Sequence, residues 1–128
     1  MLQRYVVELG TGADLHGANM TKAACRAVKD AISRSCLCGL VEILGRGSFQ
    51  GVHVHARIAV PEPDLVDKEA VLAAIPIGEK SIEVVEGGLR TPGLEVACFS
   101  PGCSDILLAC AALTVSVDIT ESASQSAN

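Results

Sequence analysis

The sequence predicts an α+β domain, an α/β sandwich with the element order β-α-β-α-β-β, in which a mixed four-stranded sheet carries two helices on one face. Three observations predict it. Residues Gln50 to Val60 alternate strictly, with Val52, Val54, Ala56, Ile58 and Val60 on one side and His53, His55 and Arg57 on the other, which is the period of a half-buried strand. Ala24, Val28 and Ile32 recur at helical spacing, and Asp105 to Ile119 is an almost unbroken apolar run suited to a strand at the centre of a sheet, covered on both faces.

In chain order, Arg4 to Leu9 is short and β-branched and predicts the first strand. It leads into Gly10-Thr11-Gly12-Ala13-Asp14-Leu15-His16-Gly17, whose glycines predict a loop. Asn19 or Thr21 can cap the following helix, which carries the Ala24, Val28, Ile32 stripe and ends near Cys36 to Gly39. Leu40 to Leu44 is apolar but brief, and Gly45-Arg46-Gly47-Ser48 separates it from the strand at Gln50 to Val60. Pro61 and Pro63 close that strand. Asp64 or Asp67 can cap a second helix with Val71, Leu72 and Ile75, which Pro76 stops. Ser81 to Glu86 predicts a third strand before the Gly87-Gly88 turn, and Leu94 to Phe99 a short extra one. The expected division is one α/β domain over residues 1–119 and a polar, disordered tail over residues 120–128.

Right-handed crossovers place both helices on the same side of such a sheet and leave the other side bare. Hydrophobic residues make up 49% of the chain and the mean hydropathy is +0.40, so a bare face calls for subunits packed around an axis. A homotrimer, or a multiple of it, is the expected partner arrangement. The same element order resembles that of the chorismate-mutase-like trimers, and the resemblance implies active sites in clefts between subunits.

Composition removes several functions. A formal charge of −5, a pI near 5.1 and 2% aromatic residues argue against nucleic acid as a partner. No apolar run approaches the roughly 20 residues of a membrane span, so no membrane partner is expected. Met1 to Arg4 leads straight into a strand-like segment rather than a signal peptide, and a cytoplasmic location is expected. In that reducing compartment the six cysteines are expected as free thiols, most of them small core residues.

The segment Gly10 to Gly17 is the most informative for chemistry. Glycines at a strand end allow close backbone approach by a ligand, which makes Gly10 and Gly12 candidate substrate-binding positions. Asp14 and His16 can act as a general acid/base pair or as two ligands of a divalent metal; the alternative is a turn in which Asp14 bonds nearby backbone N–H groups. The segment is not a dinucleotide fingerprint, because Gly-x-Gly-x-x-Gly fails at Leu15, so no nucleotide cofactor is expected. These residues resemble a small bacterial family of uncharacterised proteins with a Gly-x-Gly-x-Asp-x-His-Gly signature near the N-terminus. The resemblance extends through Thr21-Lys22-Ala23-Ala24, Arg26 to Ile32, Val66 to Glu69, Val84 to Gly88 and Val115-Ser116-Val117. More weakly, Gly12, Asp14 and His16 are similar to the metal-binding Asp-x-His of methylerythritol cyclodiphosphate synthases, whose His-Ser-Asp-Gly-Asp stretch is absent here.

Lys22, Arg26 and Lys29 lie at i, i+4 and i+7 on the first helix. With the helix N-terminus they could hold a carboxylate or phosphate, or form an ordinary solvated face. His53 and His55 could share a metal with Asp14 or His16, or line a trimer seam beside Arg57. Cys36-x-Cys38 is too tightly spaced for a zinc knuckle. Glu86, at a strand end before two glycines, can support catalysis or pair with Arg90. The leading expectation is a hydrolase or lyase acting on a small anionic metabolite between subunits. Asp14, His16 and Glu86 are its catalytic groups, and Gly10, Gly12, Lys22, Arg26 and Arg57 bind substrate. Any metal falls to Asp14, His16, His53 and His55. The rival is a non-catalytic ligand-binding or structural homo-oligomer in which the Gly/Asp/His loop is a packing element.

Overall fold

The computed structural model describes residues 1–94 and 104–119. Its elements run β1 (Leu2–Asp14), α1 (Met20–Ser33), α2 (Cys38–Glu42), β2 (Val52–Val60), α3 (Lys68–Leu72), β3 (Glu79–Glu86), β4 (Leu89–Pro92) and β5 (Asp105–Asp118), with a 3-10 turn at Pro63–Leu65. The strand order is β1-β5-β2-β3, and β4 pairs with β5 beyond the point where β2 leaves it, giving a five-stranded mixed sheet. Strands β1 and β2 are both antiparallel to β5, while β2 and β3 are parallel. The α+β class is therefore as expected, with one strand more.

The alternation of β2 appears as read: Val52, Val54, Ala56, Ile58 and Val60 are all buried. Strand β5 is central, as its apolar run predicts, but its burial alternates. Leu107, Ala109, Ala111, Leu113, Val115 and Val117 face the helices, whereas Cys110 on the opposite side is exposed. One face of the sheet is thus covered and the other open. The buried residues of β2 and β5 form one core with Met20, Ala23, Ala24, Ala27, Val28 and Ala31 of α1, Leu40 of α2, Val71 of α3 and Ile75 just after it. Asn19 caps α1 by accepting the Lys22 N–H at 2.9 Å, and Asp67 caps α3 by accepting the Ala70 N–H at 3.3 Å.

Three expectations are corrected. The loop expected from Gly10 is strand: β1 continues through Gly10 and Gly12 to Asp14. Both glycines sit on the covered face against α1, where an added Cβ would lie 2.4 Å from Ala27 O at Gly10 and 2.3 Å from Ala27 N at Gly12. The glycines let the helix backbone approach the strand, with Ala23, Ala27 and Ala31 as the small residues opposite, so they offer a ligand no room. Strand β5, expected to be covered on both faces, is covered on one only, because the helices all pack on that side. Finally, none of the four described cysteines belongs to the buried core: Cys25 is half-buried, and Cys36, Cys38 and Cys110 are exposed. All four are free thiols, as expected. The extra strand expected from Leu94 to Phe99 falls beyond the described residues from position 95, as does the tail from Thr120.

Candidate functional site

Asp14 ends β1 on the covered face and is only 4% exposed. Its carboxylate accepts the Asn19 N–H at 2.9 Å and lies 3.7 Å from Arg26 Nη1, which itself donates to the Ala13 carbonyl at 2.6 Å. Gly17 passes so close that a Cβ there would stand 2.9 Å from Asp14 Oδ2, and Ala18 takes a positive φ of 48°. The turn is wrapped around the carboxylate, and half-buried His16 sits within it. These are the contacts that the turn alternative calls for: Asp14 holds the backbone that delivers the chain to Asn19 and α1.

The neighbouring cations are partly committed as well. Arg26 closes the end of β1, while Lys22 and Lys29 are exposed on α1. One turn further along α1, Asp30 accepts the outward N–H of Thr11 at 2.9 Å and the Arg34 guanidinium at 2.8 Å. The Thr11 N–H, reinforced by Arg34, holds the Asp30 carboxyl below the usual aspartate range against a smaller opposing effect of desolvation.

A second polar group lies elsewhere. The open face reads across the strands in rows: Thr11, Cys110, Ala59, Val85; then Leu9, Ala112, Arg57, Glu83; then Val7, Thr114, His55, Ser81; then Arg4, Ser116, His53, Glu79. The β1 side of this face is apolar, with Val7 45% and Leu9 63% exposed. The β2–β3 side is an ionic row. His53 Nδ1 lies 3.3 Å from Glu79, His55 Nδ1 is 2.7 Å from Ser81 Oγ, His55 Nε2 is 3.8 Å from Glu83, and Arg57 Nε is 3.3 Å from Glu83. His53, His55, Glu79 and Ser81 line a shallow basin together with Thr114, Ser116, Lys80 and Leu2, and Arg57 and Glu83 continue the row beyond it. A hydroxyl, an imidazole and a carboxylate in series are the parts of an acid/base relay.

The structure does not bring the four expected metal ligands together in one chain. Asp14 is paired in register with Leu107 and His55 with Thr114, seven residues further along β5. At about 3.3 Å per residue the two are separated by about 23 Å, and they occupy opposite faces. Among the described residues no group of three or more His, Cys, Asp or Glu is placed to hold a metal ion. Glu86 ends β3, exposed, three strand spacings from β1 and so about 14 Å from Asp14 across the sheet. Arg90 pairs not with Glu86 but with Glu62 and, at 3.3 Å, with Asp105. Glu79, Ser81, Glu83 and Thr114 were not among the residues singled out from sequence. Their signal is the register of β2 against β3 and β5, which a single strand does not display.

Residues 4–115 match the profile of a family described as a conserved hypothetical protein (Lin0512_fam). The chain belongs to this family. A crystal structure from Nostoc punctiforme, described as an FtsZ-like protein of unknown function, is similar over 91% of this chain and 97% of its own, with 35% identity and a TM-score of 0.82. No curated protein matches the chain. Family membership agrees with the resemblance noted from the sequence. Among the described residues no helix is long and apolar enough to cross a membrane.

Proposed function

We propose that this family member is a homo-oligomeric small-molecule-binding protein whose subunits pack through the open face of the sheet, with the ligand held at the seam beside the β2–β3 row. The observation that carries this reading is the open face itself. Val7, Leu9, Cys110 and Leu89 are exposed there in a chain of −5 net charge, and contiguous exposed apolar surface of this kind marks an interaction site. Its polar half carries both signs in alternation, His53 with Glu79 and Arg57 with Glu83. Such a pattern is complementary to a second copy of itself rather than to a uniformly charged partner. A closed trimer is the assembly this reading favours, and a small anionic molecule bound near Arg57 and the two histidines is the ligand.

One observation favours a catalytic version, a hydrolase or lyase in the intersubunit cleft. Ser81 Oγ is in hydrogen-bond contact with His55, and Glu83 sits at the other ring nitrogen. Packing of a second subunit over this row would exclude water and strengthen each contact. In this version His55 moves the proton and Arg57 holds the anion, while Asp14 and His16 keep the fold.

Thiol footprinting tests the assembly. Cys110 lies in the middle of the open face, whereas exposed Cys36 and Cys38 lie at the α1–α2 link. Native mass spectrometry is expected to show a multiple of the 13.2 kDa subunit, with Cys110 alkylated at least about tenfold more slowly than Cys36 and Cys38, a ratio that burial at an interface supplies. Leu9→Asp should dissociate the assembly and expose Cys110. A monomer, or Cys110 reacting as fast as Cys36 in the wild type, overturns the reading.

A further inference from the structure

The covered side of the sheet holds a separate recess. Where α1 ends, the helix layer and the sheet diverge and leave a cavity of about 70 Å³. Val54, Leu113 and Val115 form its floor, and Ile32 and Ile75 stand on the helix side. The floor residues are all buried core. Two polar side chains stand in this apolar wall: Glu8, projecting from β1, and Ser35, just past the end of α1.

Glu8 is the unusual member. Strand β1 presents its covered face at Val6, Glu8, Gly10 and Gly12, so a carboxylate here points where an apolar side chain would extend the core. It is half-buried, and Ser35 Oγ donates to it. Among the described residues no cationic side chain lies within ion-pair distance of it. Arg34 borders the adjoining groove, but its guanidinium is held by Asp30 at 2.8 Å. A carboxylate next to an apolar cavity, with one hydroxyl donor and no counter-ion, is complementary to a ligand that supplies a cation on a short apolar body.

We propose that this cavity binds a small primary alkylammonium ion, with the ammonium group on Glu8 and the alkyl chain over Val54, Leu113 and Val115. Size limits the ligand. A volume of about 70 Å³, against the roughly 10–15 Å³ that one water needs on this measure, admits a chain of about four to six non-hydrogen atoms. Affinity for so few atoms is in the millimolar range. The site is independent of the proposed assembly, because it lies on the other face of the sheet.

Methyl-resolved NMR of the full-length protein tests it, with n-butylammonium, 1-butanol and butyrate as probes of nearly equal size. Saturable shifts are expected at the methyls of Val54, Ile75, Leu113 and Val115. The expected order is butylammonium tightest, butanol about tenfold weaker and butyrate not bound. Glu8→Gln should remove the preference for butylammonium over butanol. Ser35→Ala, which frees the carboxylate without altering the cavity floor, should tighten butylammonium binding by a few-fold. Should Glu8→Gln fail to fold, the order of the three probes on the wild-type protein decides alone. Equal binding of butylammonium and butanol to the wild type, or shifts confined to other residues, overturns the proposal.

Discussion

The contact between β1 and α1 makes the strongest demand on particular atoms, and Gly10→Ala and Gly12→Ala test it. An added Cβ at Gly10 meets Ala27 O at 2.4 Å and Ala31 N at 2.4 Å, and one at Gly12 meets Ala27 N at 2.3 Å and Ala23 O at 2.6 Å. Ordinary carbon contacts begin at about 3.5 Å, so each methyl overlaps the helix backbone by about 1 Å. The atoms in the way are backbone and cannot rotate aside; α1 must move outward as a body and lose contact with β5 and α3. Overpacking of this kind costs about 1–3 kcal/mol, and the rigidity of the obstacle places both variants at the upper end. Against this, replacing glycine by alanine in a strand returns about 0.5–1 kcal/mol of backbone entropy. The net expectation is a loss of about 2 kcal/mol, or roughly 6–10 °C in Tm for a chain of this length.

Urea denaturation at fixed protein concentration measures it, because assembly would otherwise shift the midpoint. Gly47→Ala is the control: nothing lies within 4 Å of its Cβ position, so its stability should match the wild type within about 0.5 kcal/mol. If Gly10→Ala and Gly12→Ala are as stable as Gly47→Ala, the close approach of α1 to β1 is wrong.

Two further expectations follow from the same end of the molecule. Asp14→Asn removes the buried charge that accepts the Asn19 N–H and faces Arg26, and should lower stability by about 1–2 kcal/mol while leaving the subunit count in native mass spectrometry unchanged; an unaltered Tm would show that the carboxylate does not hold the turn. Asp30 is held below the ordinary aspartate range chiefly by the Thr11 N–H. A depressed carboxyl contributes stability above its unfolded pKa and loses it as pH falls through the folded value. An NMR pH titration should therefore place the Asp30 midpoint below that of exposed aspartates, and Asp30→Asn should flatten the acid limb of the stability curve; a midpoint at or above the ordinary value would contradict the bond to Thr11.

Much of the fold was legible because it is written in single-strand or single-helix periods. The β2 alternation needs only side-chain direction, and the uninterrupted β5 run marks the central strand of the sheet, though not that one of its faces is left open. What failed did so for tertiary reasons. Gly10 and Gly12 look like loop residues because glycine weakens isolated strands. Their spacing of two is the pattern of one strand face, and Ala23, Ala27 and Ala31 form a small-residue line one helical turn apart on α1. Read together, those two patterns signal a strand and helix in close approach; read alone, each is uninformative. β4 is four residues long and ends at Pro92, too short for its own period. The open-face row was half visible: His53, His55 and Arg57 stand out on β2, but Glu79, Ser81 and Glu83 join them only once the parallel register of β2 and β3 is fixed.

The hydrogen bonds at the β1 edge bear on how copies of the chain would meet. Strand β1 is an edge strand, and an edge of this length invites pairing with another strand. Toward its C-terminal end the outward groups are occupied: the Thr11 N–H is held by Asp30 and the Ala13 carbonyl by Arg26. A strand added there would have to displace two charge-assisted bonds to gain ordinary ladder bonds in exchange. The side chains of the same residues project the other way, onto the open face, beside Leu9 and Cys110. Over this stretch the molecule closes the route by which sheets extend edge to edge and keeps the apolar face accessible. For the assembly proposed above, that asymmetry favours closed packing face to face over an open-ended sheet.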